Sequence, residues 1–240
     1  MIAVSDGIAR RLIEVDRVIR VNAIHNAIAA LGRGPALLRG AVSGAPIIGV
    51  VARLVPEKGI ACFLHAAEDV QRTLAHASFV VIGDGPLRAE LVALSERLGI
   101  ASRVHFLGAR TDGPQLVAEL DVLAVPSLSE GTPLVTLEAL SAGVPIVASR
   151  VGGIPDQVRG FGRVALVPPD DSAALARAIV EMARAIDPTP LLSRFARIAL
   201  LPTHEAMVRR TETVYAMVVA EARRRAESTH DLPRRLWLAR

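Results

Sequence analysis

From residue 46 to residue 185 the chain alternates short apolar runs with amphipathic stretches, and Gly or Pro marks most of the junctions. Residues 46–52, 78–82, 103–107, 121–126, 145–148 and 164–167 read as strands buried on both faces, because their apolar positions run on without alternating. Residues 59–74, 87–98, 115–120, 133–142 and 172–185 carry the helical spacing between them. Strands separated by single helices and short turns are parallel strands joined by crossovers. The expected fold is therefore α/β, a Rossmann-like doubly wound parallel sheet. Ligands of such sheets bind at the carboxyl ends of the strands.

The composition agrees with this fold. Hydrophobic residues make up 51% of the chain and aromatic ones 3%, so the core is built from Val, Leu, Ile and Ala. That is the usual content of a covered parallel sheet. The 240 residues suffice for one large domain and a fragment.

The two ends differ from the middle. Residues 8–13 read as a short helix and 18–21 as a strand running into Asn22 and Asn26. Gly32, Gly34, Pro35, Gly40 and Gly44 then form a loose connector. Residues 1–44 are too few to bury themselves and must dock on something. The expected division is 1–44, a domain over 45–200, and a helical and basic end over 201–240.

That end reads as helices over 191–200 and 204–226, followed by a basic tail with Trp237. The second helix carries Val208, Tyr215, Met217 and Val218 beside Arg209, Arg210, Arg223, Arg224 and Arg225. Two readings stand: an amphipathic helix packed on the domain, or a basic face that touches anionic lipid or a partner. The single Cys62 excludes a disulfide framework and points to a reducing compartment. The expected location is the cytoplasm, with the inner face of the membrane as the alternative. The six His lack metal-ligand spacing, so no metal is expected, and no nucleic-acid partner either. No apolar run is long enough to span a bilayer, and residues 1–20 are not a signal peptide.

The densest chemistry lies in Leu128 to Leu140. A polar turn follows the 121–126 strand, and a helix is expected to start at Pro133, where the missing N–H costs nothing. The N–H groups of Thr132, Leu134 and Val135 would then face any anion at that helix end. Glu130 and Glu138 would flank one crevice, and paired hydroxyls of a sugar and a ribose suit carboxylates. A solvated loop charge and a solvated helix charge would give the same spacing.

After the first strand come Arg53 and Lys58, and Lys58 is the one Lys among 28 basic residues. They read either as surface charges or as two cations for a diphosphate, whose growing charge as a leaving group they would stabilise. Gly83-Asp84-Gly85-Pro86 lacks the third Gly of a dinucleotide fingerprint and reads as a plain turn. At the end of the third strand, Arg110 and Thr111 lie in a loop that either binds a ribose or base or is merely a loop.

Taken as a set, these segments carry a resemblance. Arg53…Lys58-Gly59, Gly83-Asp84-Gly85-Pro86, Val104-His105-Phe106-Leu107-Gly108, Pro126 to Leu134 with Glu138-Ala139, Gly143 to Ala148, and Gly152-Gly153-Ile154-Pro155 stand in the order and spacing of family 4 (group 1) glycosyltransferases. The match covers about residues 46–185. The helix with Tyr215 looks like that family's closing helix. Residues 18–28 resemble the end of its N-terminal domain, with Asn26-Ala27-Ile28-Ala29 in place of the family's Asn-Gly-Ile-Asp.

The resemblance implies the C-terminal, donor-binding half of a GT-B fold. The substrate would be a nucleotide-diphosphate sugar carrying uridine, guanosine or adenosine, and the acceptor a hydroxyl on a glycan or lipid. Glu130 and the backbone of Gly131, Thr132, Pro133 and Leu134 would hold the sugar, and Glu138 the ribose. Arg53 and Lys58 would hold the diphosphate with no cofactor and no metal. Arg53, Lys58 and Glu130 would act in catalysis, and transfer would retain the anomeric configuration by a same-face route.

The family's glycine-rich loop, acceptor pocket and N-terminal His have no counterpart here, and the loop over residues 159–163 is short. A non-catalytic nucleotide-sugar-binding module, or one subunit of a two-chain transferase, is therefore the alternative. A sugar-nucleotide 2-epimerase shares the fold, but the Glu130/Glu138 pattern argues against it.

Overall fold

The computed structural model describes residues 1–17, 20–28, 37–185 and 201–230, with side chains as far as residue 224. Its main body is a six-stranded, fully parallel sheet. Two short strands precede it, β1 (Ile2–Ala3) and β2 (Asn22–Ala23), paired in parallel and joined through helix α1 (Asp6–Val15). The sheet strands are β3 (Ile47–Val51), β4 (Ser78–Ile82), β5 (Val104–Gly108), β6 (Val122–Val125), β7 (Ile146–Ser149) and β8 (Val164–Val167). Between them run α2 (Leu38–Ala41), α3 (Ile60–Thr73), α4 (Arg88–Arg97), α5 (Gly113–Val117), α6 (Leu134–Ala142), α7 (Ile154–Gln157), α8 (Ser172–Arg184) and finally α9 (His204–His230).

The spatial order is β5-β4-β3-β6-β7-β8. The chain winds outward from β3 to one edge, returns, and winds from β6 to the other. The order reverses between β3 and β6, whose carboxyl ends therefore part to leave a crevice.

Each strand splits its side chains between two buried layers, as a doubly covered parallel sheet requires. Ile48, Val50, Phe79, Val81, Val122 and Ala124 meet α3, α4 and α8 through Phe63, Leu64, Leu91, Leu175 and Ile179. Ile47, Val80, Ile82, Leu123, Val125 and Ile146 meet α2, α5 and α6 through Leu38, Leu116, Val117, Ala139 and Leu140. Phe63 and Phe79 touch edge to face, with ring centroids 6.2 Å apart. In the second layer Leu120 lies directly on the backbone of Gly49, where a Cβ would come within 2.5 Å of it.

The sequence places these elements to within one or two residues, apart from a few corrections, and α9 runs to His230 rather than ending at 226. The α5 helix spans Gly113–Val117 rather than 115–120, because Pro114 sits in its first turn and starts it earlier. Pro133 caps α6 with extended dihedrals, and the helix begins at Leu134. Part of the expected connector is α2, capped by Glu119, whose carboxylate accepts from the N–H groups of Leu37 and Leu38 at 2.7 and 2.9 Å. Gly152-Gly153-Ile154-Pro155 leads into one helical turn, α7. The N-terminal strand is Asn22–Ala23 rather than 18–21, two of whose residues lie outside the described set, as do the 191–200 helix and the Trp237 tail.

The N-terminal unit does dock on the main body. Arg10 Nη2 lies 3.4 Å from Asp156 Oδ2 on α7, and Asn26 reaches the loop before α6. On α9, Tyr215, Met217 and Val218 are exposed. Among the described residues no helix is long and apolar enough to cross a membrane.

Phe79 is fully buried between β4 and α3. Phe79→Ala is expected to cost about 3–5 kcal/mol. Urea unfolding should show this as a lower midpoint at an unchanged slope.

Candidate active site

The crevice between β3 and β6 has a volume of about 300 Å³ and is lined by Ala52, Arg53, Lys58, Ser127, Glu130, Pro133 and Leu134 among others. The β3 side contributes one 3-10 turn, Pro56–Lys58, which ends at Gly59. Gly59 has φ +62°, and a Cβ there would lie 2.1 Å from the carbonyl oxygen of Pro126. Glycine is therefore required, and it lets the turn after β3 close directly on the loop after β6. Leu128 N–H donates to Glu57 O at 2.8 Å and joins the same two loops.

This closure brings Lys58 Nζ to 2.5 Å from Glu130 Oε1. Ser127 Oγ donates to the same carboxylate oxygen at 2.8 Å. The two side chains are only 19% and 9% exposed. Two charges held this far from water are costly unless paired. Their ion pair is thus the condition for either to stand there, and either can be released when a ligand supplies the missing charge or hydroxyl. Arg53 is at the mouth, 76% exposed and 3.8 Å from Glu57.

Beyond Glu130 the loop packs on the turn before α7. Gly152 has φ +55°, and a Cβ there would fall 1.7 Å from Glu130 O. Gly153 N–H donates to Gly131 O at 2.7 Å. No side chain caps α6, so the N–H groups of Leu134 and Val135 are left for an incoming anion.

The structure thus gathers Arg53, Lys58, Glu130, Pro133 and Leu134 in one crevice, with Gly131 and Thr132 in the loop above it. Glu138 lies on the second turn of α6, half-buried, outside the residues lining the crevice and with no hydrogen-bond donor among the described residues. Burial raises its pKa above the ordinary carboxylate value. Arg110 and Thr111 also lie outside the crevice lining. The Arg110 guanidinium folds back on Asp112 in two hydrogen bonds of 2.8 and 2.7 Å. This pair raises the pKa of Arg110 and lowers that of Asp112, chiefly through the hydrogen bonds.

Sequence reading missed the residues that brace the site. Asn26 and Gln157 have no local signature, since they act through contacts 106 and 24 positions away, and Ser127, three positions before Glu130, is one small polar residue in a polar turn. Among the described residues no three His, Cys, Asp or Glu side chains group as metal ligands.

Residues 45–185, from the strand before the crevice to the end of α8, match the family described as "Glycosyl transferases group 1". The chain belongs to that family. Within it, the chain is 34% identical over 152 residues to the 2-deoxystreptamine glucosyltransferase of Streptomyces kanamyceticus, covering 62% of this chain and 39% of that protein. It is 35% identical over 211 residues to the D-inositol 3-phosphate glycosyltransferase of Mycolicibacterium gilvum, covering 85% and 43%. The crystal structure of Anabaena Alr3699/HepE in complex with UDP-glucose superposes with a TM-score of 0.77 at 25% identity, over 90% of this chain and 63% of that one. The chain therefore has the α/β Rossmann-like fold of GT-B glycosyltransferases. It spans about two fifths of the length of the curated relatives it matches.

Glu138 gives a pH-dependent test. Its native pKa is raised by burial above 4.5. A raised carboxyl contributes stability below the unfolded value and loses it as pH rises through the native one. Glu138→Gln removes that loss, so its melting temperature should gain on the wild type as pH rises from about 4 to 7. A constant difference across that range would show that the carboxylate is not desolvated.

Proposed function

We propose that this chain is the donor-binding half of a retaining glycosyltransferase, which moves a sugar from a nucleotide-diphosphate sugar to an acceptor hydroxyl. The observation that carries this reading is the Lys58–Glu130 pair beside the uncapped start of α6, at the strand-order reversal of a group 1 glycosyltransferase fold. A diphosphate entering the crevice would draw Lys58 from Glu130, with Arg53 at the mouth adding a second cation. The freed Glu130 carboxylate would then accept hydroxyls of the sugar. Glu138, without a donor of its own among the described residues, would take the ribose hydroxyls.

In the transfer, the bond between the anomeric carbon and the phosphate oxygen breaks, and the acceptor oxygen bonds to the anomeric carbon from the same face. The acceptor proton passes to the leaving phosphate. Charge grows on that phosphate as the bond breaks, and Lys58, drawn from Glu130, would offset it together with Arg53. In this reading no metal is needed. The acceptor, a glycan or lipid hydroxyl, would be bound by a second domain.

Calorimetric titration with UDP, GDP and ADP in the presence of EDTA tests the reading, and one of the three is expected to bind. Removing Lys58 alone would strand the Glu130 charge and destabilise the chain, so the variant compared is Lys58→Ala in a Glu130→Gln background. It should bind at least about tenfold more weakly than Glu130→Gln, since a charge-assisted contact is worth about 1.5–3 kcal/mol. Unchanged affinity, or no binding of any diphosphate by the wild type, would overturn the assignment.

Glu138→Ala should weaken the ribonucleotide by a similar factor but leave a 2′,3′-dideoxy nucleotide unaffected. Equal losses would remove Glu138 from the ribose site.

A further inference from the structure

The loop that carries Glu130 is fastened from the side away from the crevice. Gly131 O accepts from Gly153 N–H at 2.7 Å, Thr132 O from Asn26 Nδ2 at 3.1 Å, and Pro133 O from Gln157 Nε2 at 3.0 Å. In a trans peptide the carbonyl and the next N–H point in opposite directions. Bonding Gly131 O and Pro133 O behind the loop therefore aims the N–H groups of Thr132 and Leu134 forward, into the crevice.

The peptide between them precedes proline and has no N–H, so nothing in the loop itself fixes its plane. Asn26 does so, and the same amide donates to Thr132 Oγ1 at 2.8 Å.

Gly153 and Gln157 belong to the main body, but Asn26 does not. It follows β2, 106 positions before Thr132, in the small β1-α1-β2 unit. That unit is seated on the same turn of the main body. Arg10 pairs with Asp156 at 3.4 Å, and a Cβ on Gly153 would lie 2.8 Å from Ser5 Oγ.

We propose that Asn26 is a positioning residue that couples the seating of the N-terminal unit to the donor-sugar loop, so that the sugar of the donor is gripped fully only while that unit is in place. This rests on the function proposed above. Arg53, Lys58 and Glu138 make no hydrogen bond to Asn26 among the described residues, so the nucleoside diphosphate contacts do not run through it. The coupling acts on the sugar's share of the affinity.

Asn26→Asp tests this, because it keeps the shape but turns the bond to the Thr132 carbonyl into a repulsion, while the Thr132 hydroxyl can still donate to it. Asn26→Ala removes the bonds without repulsion. Each is titrated with the nucleoside diphosphate that the wild type binds and with its glucose conjugate. Amide hydrogen exchange is followed over residues 130–135. Affinity for the nucleotide sugar is expected to fall about tenfold, the loss of a partly buried hydrogen bond. Affinity for the diphosphate should change less than about twofold, and exchange at Thr132 and Leu134 should quicken.

Equal weakening of both ligands with a lowered melting temperature would reveal a purely structural residue and overturn the proposal. Unchanged exchange in both variants would overturn it as well. If the wild type binds no nucleoside diphosphate, the functional reading fails, and the exchange measurement alone decides whether Asn26 orders the loop.

Discussion

The ion pair between Lys58 and Glu130 is the contact on which the crevice depends. A buried lysine and a buried carboxylate each cost several kcal/mol to remove from water, and their attraction offsets this when the geometry is close and the remaining lone pairs are met. Here Ser127 meets one of them. Everything around the pair enforces that closeness. Gly59 lets the β3 turn lie against Pro126, Leu128 bonds to Glu57, and Gly152 leaves room for the Glu130 carbonyl. A hydrophobic pair would hold the two loops together at lower cost, so the charges are better explained by what can replace them. In the proposed function, an anionic ligand would exchange with Glu130 for Lys58, and a hydroxylated one with Lys58 for Glu130.

The sheet explains why the pair forms there. Lys58 and Glu130 are 72 residues apart, yet β3 and β6 are hydrogen-bonded neighbours through Ile48–Val122 and Gly49–Leu123. The crossovers leaving these two strands lead to opposite edges of the sheet, so the loops at their carboxyl ends diverge and leave space between them. The crossovers from β4 to β5 and from β7 to β8 continue outward to the adjacent position, whereas that from β5 to β6 passes back over β4 and β3.

Much of this was legible in the sequence, for a physical reason. A strand buried on both faces is a continuous apolar run, so β4 and β8 could be located to the residue, and Gly or Pro at the turns bounded the helices. Lys58 stood out by its type among arginines, and Glu130 by its place after a buried strand. What could not be read was reach. The bond from Asn26 to Thr132 and the bond from Gln157 to Pro133 depend on three-dimensional placement and leave no periodic trace. The α2 turn was read as connector because its capping group, Glu119, lies 82 residues from Leu37. The resemblance to glycosyltransferases supplied roles for residues whose own pattern left two readings open.

The placement of Asn26 bears on how the loop before α6 can be ordered before any ligand arrives. The loop over residues 128–133 contains Gly131 and two serine or threonine residues, and ordering such a segment costs about 1–2 kcal/mol per residue in backbone entropy. If that ordering happened at binding, it would be subtracted from the affinity for the sugar. Contacts from Gly153, Gln157 and Asn26 complete it beforehand, so the amides of Thr132 and Leu134 are oriented before a ligand arrives. Two of those contacts belong to the sheet domain and are permanent parts of it. The third comes from the N-terminal unit, which is held by an exposed ion pair and a small packed surface. Loss of that seat would leave the Lys58–Glu130 pair standing while returning one peptide of the loop to solvent. On the proposed function, the sugar end of the site would therefore be the part most sensitive to the seating of the N-terminal unit, and the nucleotide end the least.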